Sequence, residues 1–220
     1  MSPKQFYWQE LRVPYIAPWS REVRRPGKFE RRYDGTRARL GYTDEVTNVD
    51  VRHGALWARM PAVRGTGEPT LDAVHALRQR QCMSHMLCQI CGGTTYDASY
   101  DRQEERFLFL VRAPDGHPIR EGERTTSPPV HAACAKEAVR DCPHLRRGYT
   151  LALVRSAPLW GVGGIVHDRT TLRPLPPSGG DPFDQVSFDD PRFRWTLAVR
   201  DVVTLHGCTT VNLNNLMTAA

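Results

Sequence analysis

The sequence predicts an α+β fold, one mixed domain with long irregular loops gathered around a small metal module, and three observations predict it. Two cysteines spaced CxxC and followed by paired glycines (Cys88, Cys91, Gly92, Gly93) are answered by Pro-Pro-Val-His-x-x-Cys, which supplies His131 and Cys134, with 39 residues between Cys91 and His131. Between the two lies an apolar run at residues 106–111, with turn chemistry behind it at Pro114, Asp115 and Gly116. Elsewhere short β-like runs alternate with loop residues, 17 Gly and 17 Pro, in a chain of 40 % hydrophobic content and mean hydropathy −0.49.

Residues 1–40 read as an aromatic and arginine-rich arm. Phe6, Tyr7, Trp8, Tyr15 and Trp19, with Pro14 and Pro18 breaking any helix, suit an extended strap packed on the core. The basic stretch follows, with Arg21, Arg24, Arg25, Lys28, Arg31, Arg32, Arg37 and Arg39. Residues 1–40 hold 10 basic and 4 acidic groups while the other 180 hold 20 of each, so the whole net charge of +6 lies in the arm. Arginine's planar fork suits phosphate, and Phe29 and Tyr33 offer stacking surfaces, which makes Arg21, Arg24, Arg25, Lys28, Arg31 and Arg32 candidates for nucleic-acid binding. The bland reading of such a run is a solvated loop.

Residues 41–172 read as the metal-centred core. A strand is expected at residues 55–60, closed by Pro61. A helix is expected from Pro69 to about Met86, with Leu71, Val74, Leu77, Cys82 and Met86 on its apolar side. Next comes the knuckle, whose backbone amides point at sulfur while both thiolates converge. Zinc accepts three cysteines and a histidine in a tetrahedron, and the intervening stretch is long enough for a β-hairpin running from residues 106–111 through the turn to Gly122. Pro128 and Pro129 suit a helix's first turn, and nothing breaks that helix before Pro143, so His131 and Cys134 are expected three apart on one helical face.

Knuckle, hairpin and opening helical turn together resemble a treble-clef zinc module over residues 88–142. A disulfide between Cys88 and Cys91 is disfavoured because nothing marks the chain as secreted, and a thioredoxin-type redox pair because it would be followed by a helix and not by Gly-Gly. Cys142 lies about 12 Å along the helix from Cys134, too far to share its ion. A second candidate metal set is Cys82, His85, Cys142 and His144, a CxxH meeting a CxH.

Residues 149–154 alternate as a strand. Residues 159–166 form another, in which Gly161, Gly163 and Gly164 permit bending or close packing and match no phosphate-loop pattern. Residues 173–220 read as an acidic loop with Asp181, Asp184, Asp189 and Asp190, able to face the arginine arm, and a C-terminal segment packed on the core. That segment is read as a helix at residues 194–205 ended by Gly207, then a strand at residues 208–213.

At residues 13–20, 87–93, 128–134, 142–145 and 159–162 the chain is similar to a group of actinobacterial zinc-knuckle proteins. The similarity spans most of the chain and brings no activity with it. Where that group has cysteine this chain has His131, a swap zinc tolerates.

No apolar stretch reaches the roughly 18 residues of a membrane helix, and the N-terminus lacks a signal peptide's apolar core, so the expected place is the cytoplasm. The functional expectation is a non-enzymatic zinc-stabilised module that engages nucleic acid or an acidic protein partner through the arm. The alternative is an assembly or accessory subunit of a complex. An HNH-type nuclease is disfavoured, because no Asn occurs between Asn48 and Asn212 and no further helical His follows His131 before His144. A cysteine enzyme built on Cys208 with His206, or on Cys142 with His144, is disfavoured, because neighbours this close in sequence seldom face each other as nucleophile and base and no group to orient the histidine is evident.

Overall fold

The computed structural model describes residues 3–23, 27–179 and 181–218. At the N-terminus Tyr7–Trp8 (β1) and Leu11–Arg12 (β2) pair across a turn in which Gln9 and Glu10 take positive φ. Val13, Ala17 and Trp19 then bury, with Phe6 and Trp8 packed against them, so the aromatics anchor a strap as expected. The basic stretch is not a loop throughout. Phe29–Asp34 (β3) and Arg37–Tyr42 (β4) form an antiparallel hairpin whose two-residue loop is Gly35-Thr36, with Gly35 at φ +58°. A short helix, Thr47–Asp50 (α1), leads to Val51–Arg52 (β5) and Ala55–Trp57 (β6).

The helix expected from Pro69 begins later, at Ala76–His85 (α2). Residues 69–75 are held against the strap around a turn at 71–72: Thr70 N–H donates to Pro18 O at 2.8 Å and His75 N–H to Ile16 O at 2.8 Å. Tertiary pairing overrides local helix preference there, and His75 caps the helix by accepting from Arg78 N–H. Met86 closes it in the left-handed region at φ 47°, and a further short helix, Ala98–Arg102 (α3), is capped by Asp97.

The apolar run becomes Phe107–Arg112 (β7), but the return after Gly116 does not pair with it. Gly122 N–H instead reaches Leu205 O at 2.8 Å, and Arg124–Thr125 (β8) joins another sheet. The partner of β7 is Tyr149–Val154 (β9), which arrives only after the helix Ala132–Asp141 (α4). The physical reason is burial on both faces. Phe107 and Phe109, with Ala152 and Val154, meet Met83, Val203 and Leu205 on one side. Leu108 and Leu110, with Leu151 and Leu153, meet Ile90, Val130, Ala135 and Leu213 on the other. Each such side chain contributes about 1.5–3 kcal/mol by leaving water, and a return carrying Pro118, Glu121 and Glu123 offers nothing comparable.

The larger sheet is built on Leu159–Val166 (β10), Asp184–Ser187 (β11) and Thr196–Thr204 (β12), in the order β11-β10-β12-β6-β5 with β8 also on β12. Its pairings are antiparallel apart from β6 with β12. The helix expected at residues 194–205 is therefore replaced by a 3-10 turn, Pro191–Trp195, and the central strand. Its apolar spacing fits a helix face, yet both of its faces are covered and its Val and Thr content decides for strand. Gly161 and Gly164 allow close approach in β10: a Cβ would stand 2.1 Å from Val186 O and 2.4 Å from Leu197 O respectively. The C-terminal strand shrinks to Thr209–Thr210 (β13) on β9, followed by Leu213–Thr218 (α5). The architecture is mixed α+β, with several sheets and few helices, and among the described residues no helix is long and apolar enough to cross a membrane.

Candidate metal centre

The knuckle is wound by its own backbone. Gly92 N–H donates to Cys88 O at 2.7 Å, Cys88 N–H to Gly93 O at 2.8 Å and Gly93 N–H to Cys91 Sγ at 3.3 Å. Gly92 sits at φ +72° under the Tyr15 ring, where a Cβ would lie 2.6 Å from the ring. Glycine is required twice over at that position, by conformation and by space.

Pro128 and Pro129 do not open the helix. They belong to an extended segment clamped between knuckle and sheet, with Gln89 N–H donating to Pro129 O at 3.0 Å and Val130 N–H to Leu108 O at 2.8 Å. His131 is consequently the residue that precedes α4, in extended conformation, while Cys134 lies in the first turn. The pair expected on one helical face is delivered from just outside and just inside the helix.

The four ligand atoms of Cys88, Cys91, His131 and Cys134 all lie within 4.8 Å of one another. Cys91 Sγ is 3.3 Å and Cys134 Sγ 4.0 Å from His131 Nδ1. Ligand bonds of about 2.3 Å to sulfur and about 2.0 Å to nitrogen at tetrahedral angles separate S from N by roughly 3.5 Å, between those two distances. His131 Nε2 stands 2.8 Å from Thr94 O and 3.4 Å from Asp97 Oδ2. A ring that donates there leaves Nδ1 as the lone pair facing the sulfurs. All six cysteines are free thiols.

The electrostatics favour a cation. Hydrogen bonds from Cys134 and then Cys88 pull the Cys91 thiol far below its ordinary value, and Cys88 and Cys91 together push Cys134 far above it. The same two sulfurs, Cys88 first, raise His131 to about 11. A depressed Cys91 beside a raised His131 puts a thiolate in contact with an imidazolium, positive charge that a bound cation would replace, and the quartet fits a metal ion.

Three strap residues that spacing did not reveal complete the surroundings. Gln5 Nε2 donates to Cys91 O at 2.9 Å, and Tyr15 N–H donates to Ile90 O at 2.8 Å. Arg12 Nη1 lies 3.7 Å from Cys134 Sγ and 3.0 Å from Glu137 Oε2. A single arginine in an aromatic segment carries no local signal of this role, because its partners are more than a hundred residues away.

Among the described residues this quartet is the one cluster of metal-ligating side chains, and Cys82, His85, Cys142 and His144 are not brought together. Cys82 is buried, its thiol pushed up by burial and then by Cys88 and Cys91, while His85 and His144 are exposed. His206 does have an orienting group, Glu121, at 2.8 Å, but Cys208 donates its S–H to Arg120 O, and burial followed by Glu121 raises its thiol.

Of the arginine arm, Arg24 and Arg25 lie outside the described residues. Arg21, Lys28 and Arg31 are exposed. Arg31 donates to Arg169 O at 2.8 Å and lies over Trp195 at 5.9 Å. Arg32 is engaged by Glu30 at 2.6 Å, and buried Arg39 by Glu45 and Asp34. The acids that answer the arm thus belong to the hairpin and the segment just after it. In the acidic loop Asp190 pairs with Arg192, and Asp184 accepts from Ser178 N–H. Compared with protein-family models, with curated proteins and with solved structures, the chain matches none.

Proposed function

We propose that this protein is a zinc-stabilised binding module that grips nucleic acid through its arginine-rich hairpin. Zinc is the fitting ion for three thiolates and an imidazole at these separations, because it asks for a tetrahedron and nothing more. Held by Cys88, Cys91, His131 and Cys134, it would fix the knuckle to α4 in a treble-clef-like arrangement, and in the reducing cytoplasm its thiolates would persist. Its role is structural, and recognition belongs to the arm.

The observation that carries the recognition reading is on β3. Arg31 and Tyr33 share one face of that strand, both exposed, Tyr33 at 61 %. A cation beside a bare aromatic ring offers a phosphate contact and a stacking surface together. Arg21, Lys28 and Arg37 are exposed as well, and among the described residues none of these four cations is within ion-pair distance of a carboxylate. Arg32 and Arg39 already have acids and are assigned to holding the hairpin.

The test is binding to single-stranded and duplex nucleic acid across a salt series. Each phosphate contact contributes a slope of about 0.7–0.9 on a log-log plot, so replacing Arg21, Lys28, Arg31 and Arg37 with glutamine should flatten it by roughly three. Wild-type protein that fails to bind at low salt overturns the reading and turns the same cations toward an acidic protein partner or an assembly role.

A further inference from the structure

Away from the metal ligands, α1, the segment after β6 and α2 enclose a cleft of about 300 Å³. Val49, Met60 and Leu77 supply apolar wall, and Trp57, Arg59 and Arg80 supply the rest of the surface used below. Val49 is 69 % exposed, so its apolar surface is open to an occupant of the cleft.

The two arginines differ in kind. Arg59 is spent: its Nε and Nη2 donate to Asp50 at 2.8 and 2.6 Å, its Nη1 to Asp44 at 2.9 Å, and its guanidinium lies over Tyr42 at 4.2 Å. Arg80 is not spent. Its guanidinium lies 4.6 Å from the centroid of Trp57, and among the described residues no acceptor takes any of its N–H groups. A cation–π contact uses no hydrogen-bond donor of the guanidinium, and the buried indole, 3 % exposed, anchors Arg80 beside the cleft. The cleft therefore holds an anchored fork with its hydrogen bonds unmade.

Charge sets the valence of what would fill it. Within the lining, Asp50 cancels Arg59, and Arg80 leaves one positive charge over. Outside the lining, Arg52 and the buried Asp201, 1 % exposed with neither carboxylate oxygen hydrogen-bonded, act on Arg80 with opposite signs and offset each other, so the balance of one positive charge stands. We infer that the cleft is a binding site for a small organic monocarboxylate, with its carboxylate on the Arg80 fork and its apolar chain along Val49, Met60 and Leu77.

Calorimetric titration of the zinc-loaded protein with hexanoate, hexan-1-ol and hexyl phosphate tests this. Hexanoate should bind with single-site saturation, and hexan-1-ol should bind on the order of ten-fold more weakly or not at all, because it leaves the fork unpaired. Arg80→Gln should lose a similar factor for hexanoate while metal content stays unchanged. Arg80 also packs on Trp57, so Leu77→Glu serves as the second variant: it keeps the stack and sets a negative charge in the apolar wall, and it too should weaken hexanoate. No saturable hexanoate binding, equal binding of hexan-1-ol, or undiminished hexanoate binding in both variants would each overturn the inference. Tighter binding of hexyl phosphate would overturn the monoanion assignment.

Discussion

Arg78 donates to both carboxylate oxygens of Glu22, at 2.7 and 2.6 Å, and neither side chain is more than 6 % exposed. The pair ties α2 to the strap, with Arg78 also donating to Ala17 O at 2.9 Å and Trp19 N–H to Glu22 Oε2 at 2.9 Å. Burial alone would raise the Glu22 carboxyl, yet the hydrogen bonds from Arg78 and Trp19 bring it below its usual value. Removing one partner strands the other charge, so Arg78→Ala should lose about 3–5 kcal/mol in urea unfolding. The double variant Glu22→Leu with Arg78→Met should be less damaged than the single. A double variant that loses the sum of both single effects would show that the pair is not coupled.

Metal removal should not loosen the molecule evenly. Residues 88–94 and 130–142 depend on the quartet directly, and residues 5–16 lean on the knuckle through Gln5, Arg12 and Tyr15. Hydrogen exchange after chelation should therefore rise in those three segments before it rises in β10 or β12. Cys88→Ser should lose the ion, whereas His131→Cys should keep one per chain. Uniform exchange across the chain would contradict this order.

Arg12 should govern how tightly the ion is kept. Three thiolates around a divalent cation carry one net negative charge, and a guanidinium beside Cys134 Sγ offsets it. Arg12→Gln should speed metal release to a chelator by about 10-fold, the lower end of what outer partners of metal ligands contribute. Glu137→Gln, which frees Arg12 from its other partner, should do less. Equal release rates in all three proteins would remove Arg12 from the account.

Asp201 predicts an unusual pH response. Burial raises its carboxyl to about 6, with Arg52 and Arg80 pulling the other way. The folded protein thus binds this proton more tightly than the unfolded chain does, and the Asp201 contribution falls as pH rises from about 4 to about 6 and stays low above that. Asp201→Asn should gain on the order of 2 kcal/mol relative to wild type at neutral pH and nothing near pH 4. A gain of the same size at both pH values would assign the effect to packing.

What was legible in the sequence was what local spacing constrains. Chelation forces ligands into short motifs, so Cys88, Cys91, His131 and Cys134 could be paired off from the chain alone. β9 and β10 announce themselves by their bounded β-branched or glycine-rich runs. What failed was decided at long range. β7 passes over its nearby return for β9, because only β9 brings apolar side chains to both of the clusters that bury the two faces of this sheet. Residues 69–75 stay out of the helix because the strap takes the amides of Thr70 and His75. The same holds for Arg12, whose partners Cys134 and Glu137 lie on α4.

The parallel pairing of β6 with β12 has a consequence for synthesis. A chain made from its N-terminus exposes β5 and β6 when Trp57 emerges, yet their neighbour in the sheet begins at Thr196. At roughly 5–20 residues per second that edge waits on the order of ten seconds, open to any other strand in the crowd. β10 and β11 wait too, for a shorter time. The knuckle, α4 and the β7–β9 ladder close while the larger sheet is still without its middle, so the nascent chain passes through a half-built state whose finished half holds the Cys88, Cys91, His131 and Cys134 quartet.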